Sequence, residues 1–180
     1  FDLVRIDHFR GLEAAWHVPA DAATAKDGEW VPGPGADILS VLVDASRAVA
    51  GTASRLGKID HLATLLTRVT PDEVPVAIAY LSGEMPQGRL GIGGAAIRVA
   101  RDVPPSDTGT LTLVEVDAAF SELAAIAGAG STRRRAERLS HLLRRATDAE
   151  QDFLVRLLYG ELRQRALEGV LVEAVARVVG

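Results

Sequence analysis

The chain has 180 residues and a mass of 19.0 kDa, and is 48% hydrophobic and 24% charged. That fits one folded domain, or one with a small appendage, and excludes a disordered chain. Cys is absent, which excludes disulfides, thiolate zinc sites and a cysteine nucleophile. The net charge of -4, with a pI near 5.6, argues weakly against attraction of the whole surface to nucleic acid.

Residues 1–30 show no clear periodicity, and both Trp16 and Trp30 lie there. Val31-Pro32-Gly33-Pro34-Gly35 reads as a linker by composition. From Asp37, a cap residue by type, Ile38, Leu39, Leu42, Val43 and Val49 recur with helical spacing until Gly51. Ser54 is the next cap, ahead of Leu56, Ile59, Leu62, Ala63 and Leu66. Thr70-Pro71-Asp72-Glu73 predicts a helix start, with Thr70 and Glu73 as a capping box and Pro71 at the first helical position. That helix should end at Gly83, where glycine can take the left-handed conformation. Residues 84–93 form a Gly/Pro-rich loop, a short helix reaches about Ala100, and Val103 to Gly109 is a second linker.

The helical pattern then restarts. Thr110–Val116 alternates like a strand, Asp117 to Ala127 reads as a helix ended by Gly128, and Ser131 caps the next, whose apolar side is Leu139, Leu142 and Leu143. Thr147 and Glu150 form another capping box for a helix that stops at Gly160, and a last helix runs from about Glu168 to Val179. One strand cannot make a sheet, so the fold class is all-α, a bundle of about eight or more helices. No apolar run approaches the roughly 18 residues of a membrane span, and no signal peptide opens the chain. The first residue is Phe1 and the only Met is Met85, from which we expect a piece of a longer polypeptide.

A shift of 77 residues overlays the sequence on itself without a gap. Ser54 meets Ser131, Lys58 meets Arg135, Leu65-Leu66 meets Leu142-Leu143, Thr70 and Glu73 meet Thr147 and Glu150, and Gly83-Glu84 meets Gly160-Glu161. The expected organisation is an N-terminal extension and linker over 1–36, then a helical domain over 37–180. That domain holds two copies, about 38–101 and 115–180, in a pseudo-twofold arrangement.

Charge follows that division. Residues 1–36 carry 3 basic and 6 acidic side chains, whereas Arg133 to Arg145 holds six Arg and one acid, Glu137. Crowded guanidinium groups repel one another unless an anion joins them.

The residues offer no catalytic set. His8, His17, His61 and His141 are scattered without metal-ligand spacing. Gly88, Gly91, Gly93 and Gly94 follow no strand, and Lys26-Asp27-Gly28 lacks the residue that separates Lys from Asp in a nucleotidyltransferase motif. Binding is better served. Ser131-Thr132-Arg133-Arg134-Arg135 combines a helix N-terminus with a hydroxyl and cations, the elements of a phosphate site. Its mate is Ser54-Arg55-Leu56-Gly57-Lys58. Gly160-Glu161-Leu162-Arg163-Gln164-Arg165 and its mate Gly83 to Arg89, which includes Gln87, set Arg and Gln on tight turns where glycine lets a partner approach. Glu84 and Glu161 would repel phosphate and read as structural partners of amides or of a nearby Arg.

Ser131-Thr132-Arg133-Arg134-Arg135 and the run Phe153-Leu154-Val155-Arg156-Leu157-Leu158-Tyr159-Gly160-Glu161-Leu162-Arg163 resemble the N-terminal DNA-binding domain of ATP-dependent DNA ligases, above all those of high-GC bacteria. In the first copy, Ser54 to Ile59, Tyr80 to Gln87 and Leu90 to Gly93 carry the same resemblance. It covers about residues 38–180; residues 1–36 have no recognised counterpart in it. The family's Gly two residues beyond Leu-Arg is Arg165 here, and Pro86 stands where the first-copy turn would carry Arg.

The resemblance implies a pseudo-twofold domain that lies across the minor groove of nicked duplex DNA. It would bind without sequence preference, beside the nucleotidyltransferase and OB domains of the same polypeptide, in bacterial DNA repair, replication and recombination. It implies a cytoplasmic monomer, at the nucleoid, with no membrane partner. The adenylylated lysine, and the ATP and Mg2+ it uses, belong to the next domain, so this chain alone has no cofactor and seals nothing. A helical protein-interaction or scaffold domain with no nucleic-acid role is the alternative.

Overall fold

The structure, a computed structural model, describes residues 14–17, 24, 29–32, 37–162 and 167–179. Its contacts divide the chain into two units, Phe1–Gly35 and Ala36–Gly180.

In the first unit, β1 (Ala14–His17) and β2 (Glu29–Pro32) pair antiparallel, with Trp16 opposite Trp30. The sequence reading assigned no element here and put Val31 and Pro32 in a linker; both residues belong to β2. Strands of four residues are too short to display alternation, which is why periodicity passed over them. Gly33, Pro34 and Gly35 lie outside the described residues.

The second unit is all-helical, with eight helices among the described residues. They are α1 (Asp37–Gly51), α2 (Arg55–Leu66), α3 (Val74–Leu81), α4 (Gly94–Arg101), α5 (Leu113–Ala125), α6 (Ser131–Leu143), α7 (Asp148–Tyr159) and α8 (Leu167–Val179). Shifted by 77 residues, the first four fall in order on the last four. Local chemistry sets most of the boundaries. Ser54 holds extended backbone and accepts the Gly57 N–H at 3.1 Å, capping α2. At α7 the capping box is complete: Thr147 accepts the Glu150 N–H, and the Glu150 carboxylate accepts the Thr147 N–H at 2.8 Å.

Four expected details are corrected. Residues 110–116 are not a strand. Thr112 and Glu115 form a second complete capping box, and α5 begins at Leu113. Leu111 and Val116, both fully buried, stand at the two positions of a hydrophobic staple around that cap. The pairs Leu111/Leu113 and Val114/Val116, each spaced by two, mimic alternation. Thr70–Glu73 forms a turn ahead of α3 rather than its first turn. The buried Glu73 carboxylate accepts both the N–H and the hydroxyl of Thr70 at 3.0 Å, and Pro75, not Pro71, sits in the first turn of the helix. Ser131 does not cap α6: it lies inside the helix, and the capping residue is Gly130 at φ 74. A residue past the cap has helical backbone, so its hydroxyl no longer faces the free amides. Finally, α5 ends at Ala125, ahead of Gly128.

The helices interlock across the midpoint of the unit. α2 packs on α8, α6 packs on α4, and α1 meets α7. Leu62 of α2 and Leu139 of α6 are both fully buried. Tyr80 of α3 meets Phe120 of α5 with ring centroids 5.9 Å apart, a tilted pair within the core. No helix among the described residues is long and apolar enough to cross a membrane.

Arg145 ties the end of α6 to the start of α5, donating to Glu115 at 2.8 Å and to the Thr110 carbonyl at 2.9 Å. Burial alone pushes the Glu115 carboxyl up, but the Thr112 amide and then the Arg145 guanidinium outweigh it and hold the group below its ordinary 4.5. A carboxyl depressed on folding stabilises the fold above its unfolded-state value, and that contribution is lost as pH falls through the folded value. We expect Glu115→Gln to lower the melting midpoint at pH 7 by about 2–4 °C. The gap to the parent chain should narrow as pH falls below 4.5, toward the depressed folded value. Circular-dichroism melts at pH 7 and pH 3 measure it; an equal gap at both would refute the assignment.

Candidate nucleic-acid interface

The two Gly-Glu turns are built alike. Gly83 and Gly160 both have φ 72. The Gly83 N–H donates to the Tyr80 carbonyl at 3.1 Å and the Glu84 N–H to Ala79 at 2.8 Å. The Gly160 N–H donates to Leu157 at 3.0 Å and the Glu161 N–H to Arg156 at 2.9 Å. These are Schellman closures, which satisfy the last helical carbonyls and need a left-handed residue at one position. Glu84 and Glu161 contribute through their amides, while their side chains stand exposed, unlike the partner role expected for their carboxylates.

Both turns line one open hollow of about 540 Å³, together with Arg89, Leu90, Gly91, Ile92 and Tyr159. Tyr159 is half-exposed and donates its hydroxyl to the Gly94 carbonyl at 3.2 Å, joining the second turn to the start of α4. Sequence reasoning missed Tyr159; the only signal was its place beside Gly160.

The remaining expected binding residues divide by what they touch. Arg89 and Thr132 are exposed, and Gly160 borders the hollow. Arg133 is also exposed and pairs with Glu137 one turn along at 2.7 Å, which raises its pKa through that hydrogen bond. Arg134 donates to the Ala127 carbonyl at 2.6 Å. Arg135 is half-buried and bonded to three main-chain carbonyls, those of Gly91, Leu123 and Ile126. Ser54 is engaged as the cap of α2, Arg55 pairs with Glu173 of α8, and Lys58 is half-buried. Gln87 turns inward: its amide donates to Asp117 Oδ1 at 2.7 Å and to Ser121 Oγ at 3.2 Å, while Tyr80 donates to the same Asp117 oxygen at 3.1 Å. Ser131 lies in the first turn of α6 without a capping bond. Arg163, Gln164 and Arg165 lie outside the described residues.

The Arg-rich stretch is therefore less bare than its sequence. Besides Arg133, Arg138 pairs with Glu122 at 2.6 Å and Arg145 with Glu115 at 2.8 Å, so acids of α5 oppose one cation of α6 and one just past its end. Such exposed pairs are worth little and can exchange for a stronger anion. His61 and His141 are exposed. Among the described residues no group of three or more His, Asp or Glu could hold a metal ion.

Left-handed backbone costs about 1–2 kcal/mol for a residue with a Cβ. We expect Gly83→Ala and Gly160→Ala each to lower unfolding free energy by about that amount, read from urea denaturation. Unchanged midpoints would contradict the turn geometry.

The family model described as DNA ligase N terminus matches residues 94–176. A probable DNA ligase of Anaeromyxobacter dehalogenans is 51% identical over 145 residues, which are 79% of this chain and 28% of the relative. Probable DNA ligases of Saccharopolyspora erythraea and Mycobacterium avium are 50% and 49% identical, each over 79% of this chain. The chain spans no more than 28% of the length of these relatives. A second family model, described as 4-alpha-glucanotransferase, matches residues 1–69. It includes residues 1–36, which have no counterpart in the ligase resemblance; the two matched stretches do not overlap.

Proposed function

We propose, from the match of its helical unit to the family model described as DNA ligase N terminus and its similarity to probable DNA ligases, that this unit is the DNA-binding module of an ATP-dependent DNA ligase. It grips nicked duplex DNA through the minor groove and the phosphates, without reading sequence. The observation that carries the reading is the shared hollow, where two equivalent glycine turns and Arg89 meet. Glycine main chain lets a sugar–phosphate edge approach closely, and a guanidinium beside it supplies charge without base selectivity. The exchange of partners between halves, α2 on α8 and α6 on α4, supports a pseudo-twofold unit. Such a unit suits a duplex that is itself nearly twofold.

On this reading Arg89, Thr132, Arg133 and Arg134 meet phosphate from the described surface, and Arg163, Gln164 and Arg165 add further contacts to DNA. The pairing of Arg133 with Glu137 yields to phosphate when DNA arrives, since both side chains are more than half exposed. The nucleotidyltransferase and OB domains of the same polypeptide supply the adenylylated lysine, and ATP and Mg2+ act there.

Fluorescence anisotropy of the 180-residue chain with a labelled, nicked duplex of about 20–30 base pairs tests the module. We expect binding at low salt that weakens steeply as salt rises, and a shallower salt slope for Arg134→Ala and Arg89→Ala, by about 0.9 per lost phosphate contact. No binding at low salt would leave the protein-interaction reading in its place. Incubation with labelled ATP should give no covalent adduct; a labelled band would overturn the assignment of the catalytic lysine to another domain.

A further inference from the structure

Arg135 belongs to the run that sequence reasoning assigns to phosphate, yet its guanidinium is committed elsewhere. Nε donates to the Leu123 carbonyl at 3.2 Å, Nη1 to the Gly91 carbonyl at 2.9 Å, and Nη2 to the Ile126 carbonyl. Two of these acceptors lie at the end of α5, where helical carbonyls run out of amide partners and a cation is favoured by the helix dipole. Ile126 leaves the helix with extended backbone, and the glycines at 128 and 130 come too late to close the last turn of α5. Arg135 supplies that closure.

The third acceptor belongs to the other half of the unit. Gly91 sits in the loop between the first glycine turn and α4, at φ 66, and a Cβ there would lie 2.9 Å from the Arg135 guanidinium carbon. The loop main chain is thus pressed against the cation. Both Arg89 and Gly91 line the hollow between the two turns. At the position 77 residues earlier stands Lys58. A lysine ammonium is a point donor and cannot fork onto three fixed carbonyls.

We infer that Arg135 is a positioning residue rather than a phosphate ligand: its fork joins the end of α5 to the 88–93 loop and so sets the wall of the hollow that receives the DNA backbone. The inference rests on the DNA-binding reading above. It separates from that reading because losing a phosphate contact and losing a scaffold differ in salt dependence. A lost contact releases one counterion fewer and lowers the slope, whereas a displaced loop weakens binding at a roughly constant slope.

The test compares Arg135→Lys, which keeps the charge and loses the fork, and Arg135→Ala, which loses both, with Arg134→Ala, which loses a charge. Anisotropy with the nicked duplex is run from about 50 to 200 mM salt. It is done well below each melting midpoint, with matching circular dichroism, so that only folded protein is read. Amide NMR shifts of residues 89–93 are recorded alongside. For Arg135→Lys we expect an affinity loss of about five- to tenfold, an unchanged salt slope and shifted loop amides. A merely structural role would lower the melting midpoint and leave the affinity of the folded protein intact.

Gly91→Ala disturbs the same contact from the loop side while Arg135 stays. It should reproduce the loss at constant slope, and it carries the test if Arg135→Lys does not fold. Parent-like affinity in both variants overturns the assignment, as does a slope reduced by about 0.9 in Arg135→Ala. Failure of the parent chain itself to bind duplex at low salt overturns the DNA-binding reading, and this proposal with it.

Discussion

The helical unit depends on an exchange of cover between its halves. The apolar face of α2 is closed by α8, and that of α6 by α4. Leu62 on α2 and Leu139 on α6 both reach zero exposure. Hydrophobic burial is the dominant favourable contribution to folding, and here the second helix of each half packs on a helix from the other half as well as on its own. The glycine turns, the loop before α4 and the Arg135 fork all hang on that interlock, since it brings the two turns to one hollow.

Much of this was legible. Ser54, Thr147 with Glu150, Gly83 and Gly160 announce helix ends because each acts within a few residues of itself. Errors arose where a local signal had two meanings. Leu111 and Leu113 flank Thr112, and Val114 and Val116 flank Glu115, as in a strand, but the two polar residues form a capping box and Leu111 with Val116 stand at the positions of a staple. Ser131 has the residue type of a cap, but left-handed Gly130 reverses the chain one residue sooner. The ladder between Ala14–His17 and Glu29–Pro32 pairs stretches too short to carry a period.

The candidate site was harder, because a linear count of charge sees only neighbours in sequence. Arg133 to Arg145 looks strongly basic until the fold sets Glu122 and Glu115 of α5 against it. Gln87 and Arg135 have the right chemistry for phosphate or sugar, yet each finds acceptors about 30 and 44 residues away in the chain. Sequence reasoning names which side chains could bind an anion. The partners already satisfied inside the protein decide which of them remain available to do so.

The segment joining α4 to α5 takes on a different meaning in this light. It runs from Asp102 to Thr112, and the Ser106 N–H is pinned to the Ala146 carbonyl at 2.9 Å, at the junction of α6 and α7. An intramolecular exchange of covering helices has an intermolecular counterpart, in which each half closes on another chain. The connection sets the effective concentration of one half at the other. Its anchored middle shortens the reach of the connection, and so raises that effective concentration.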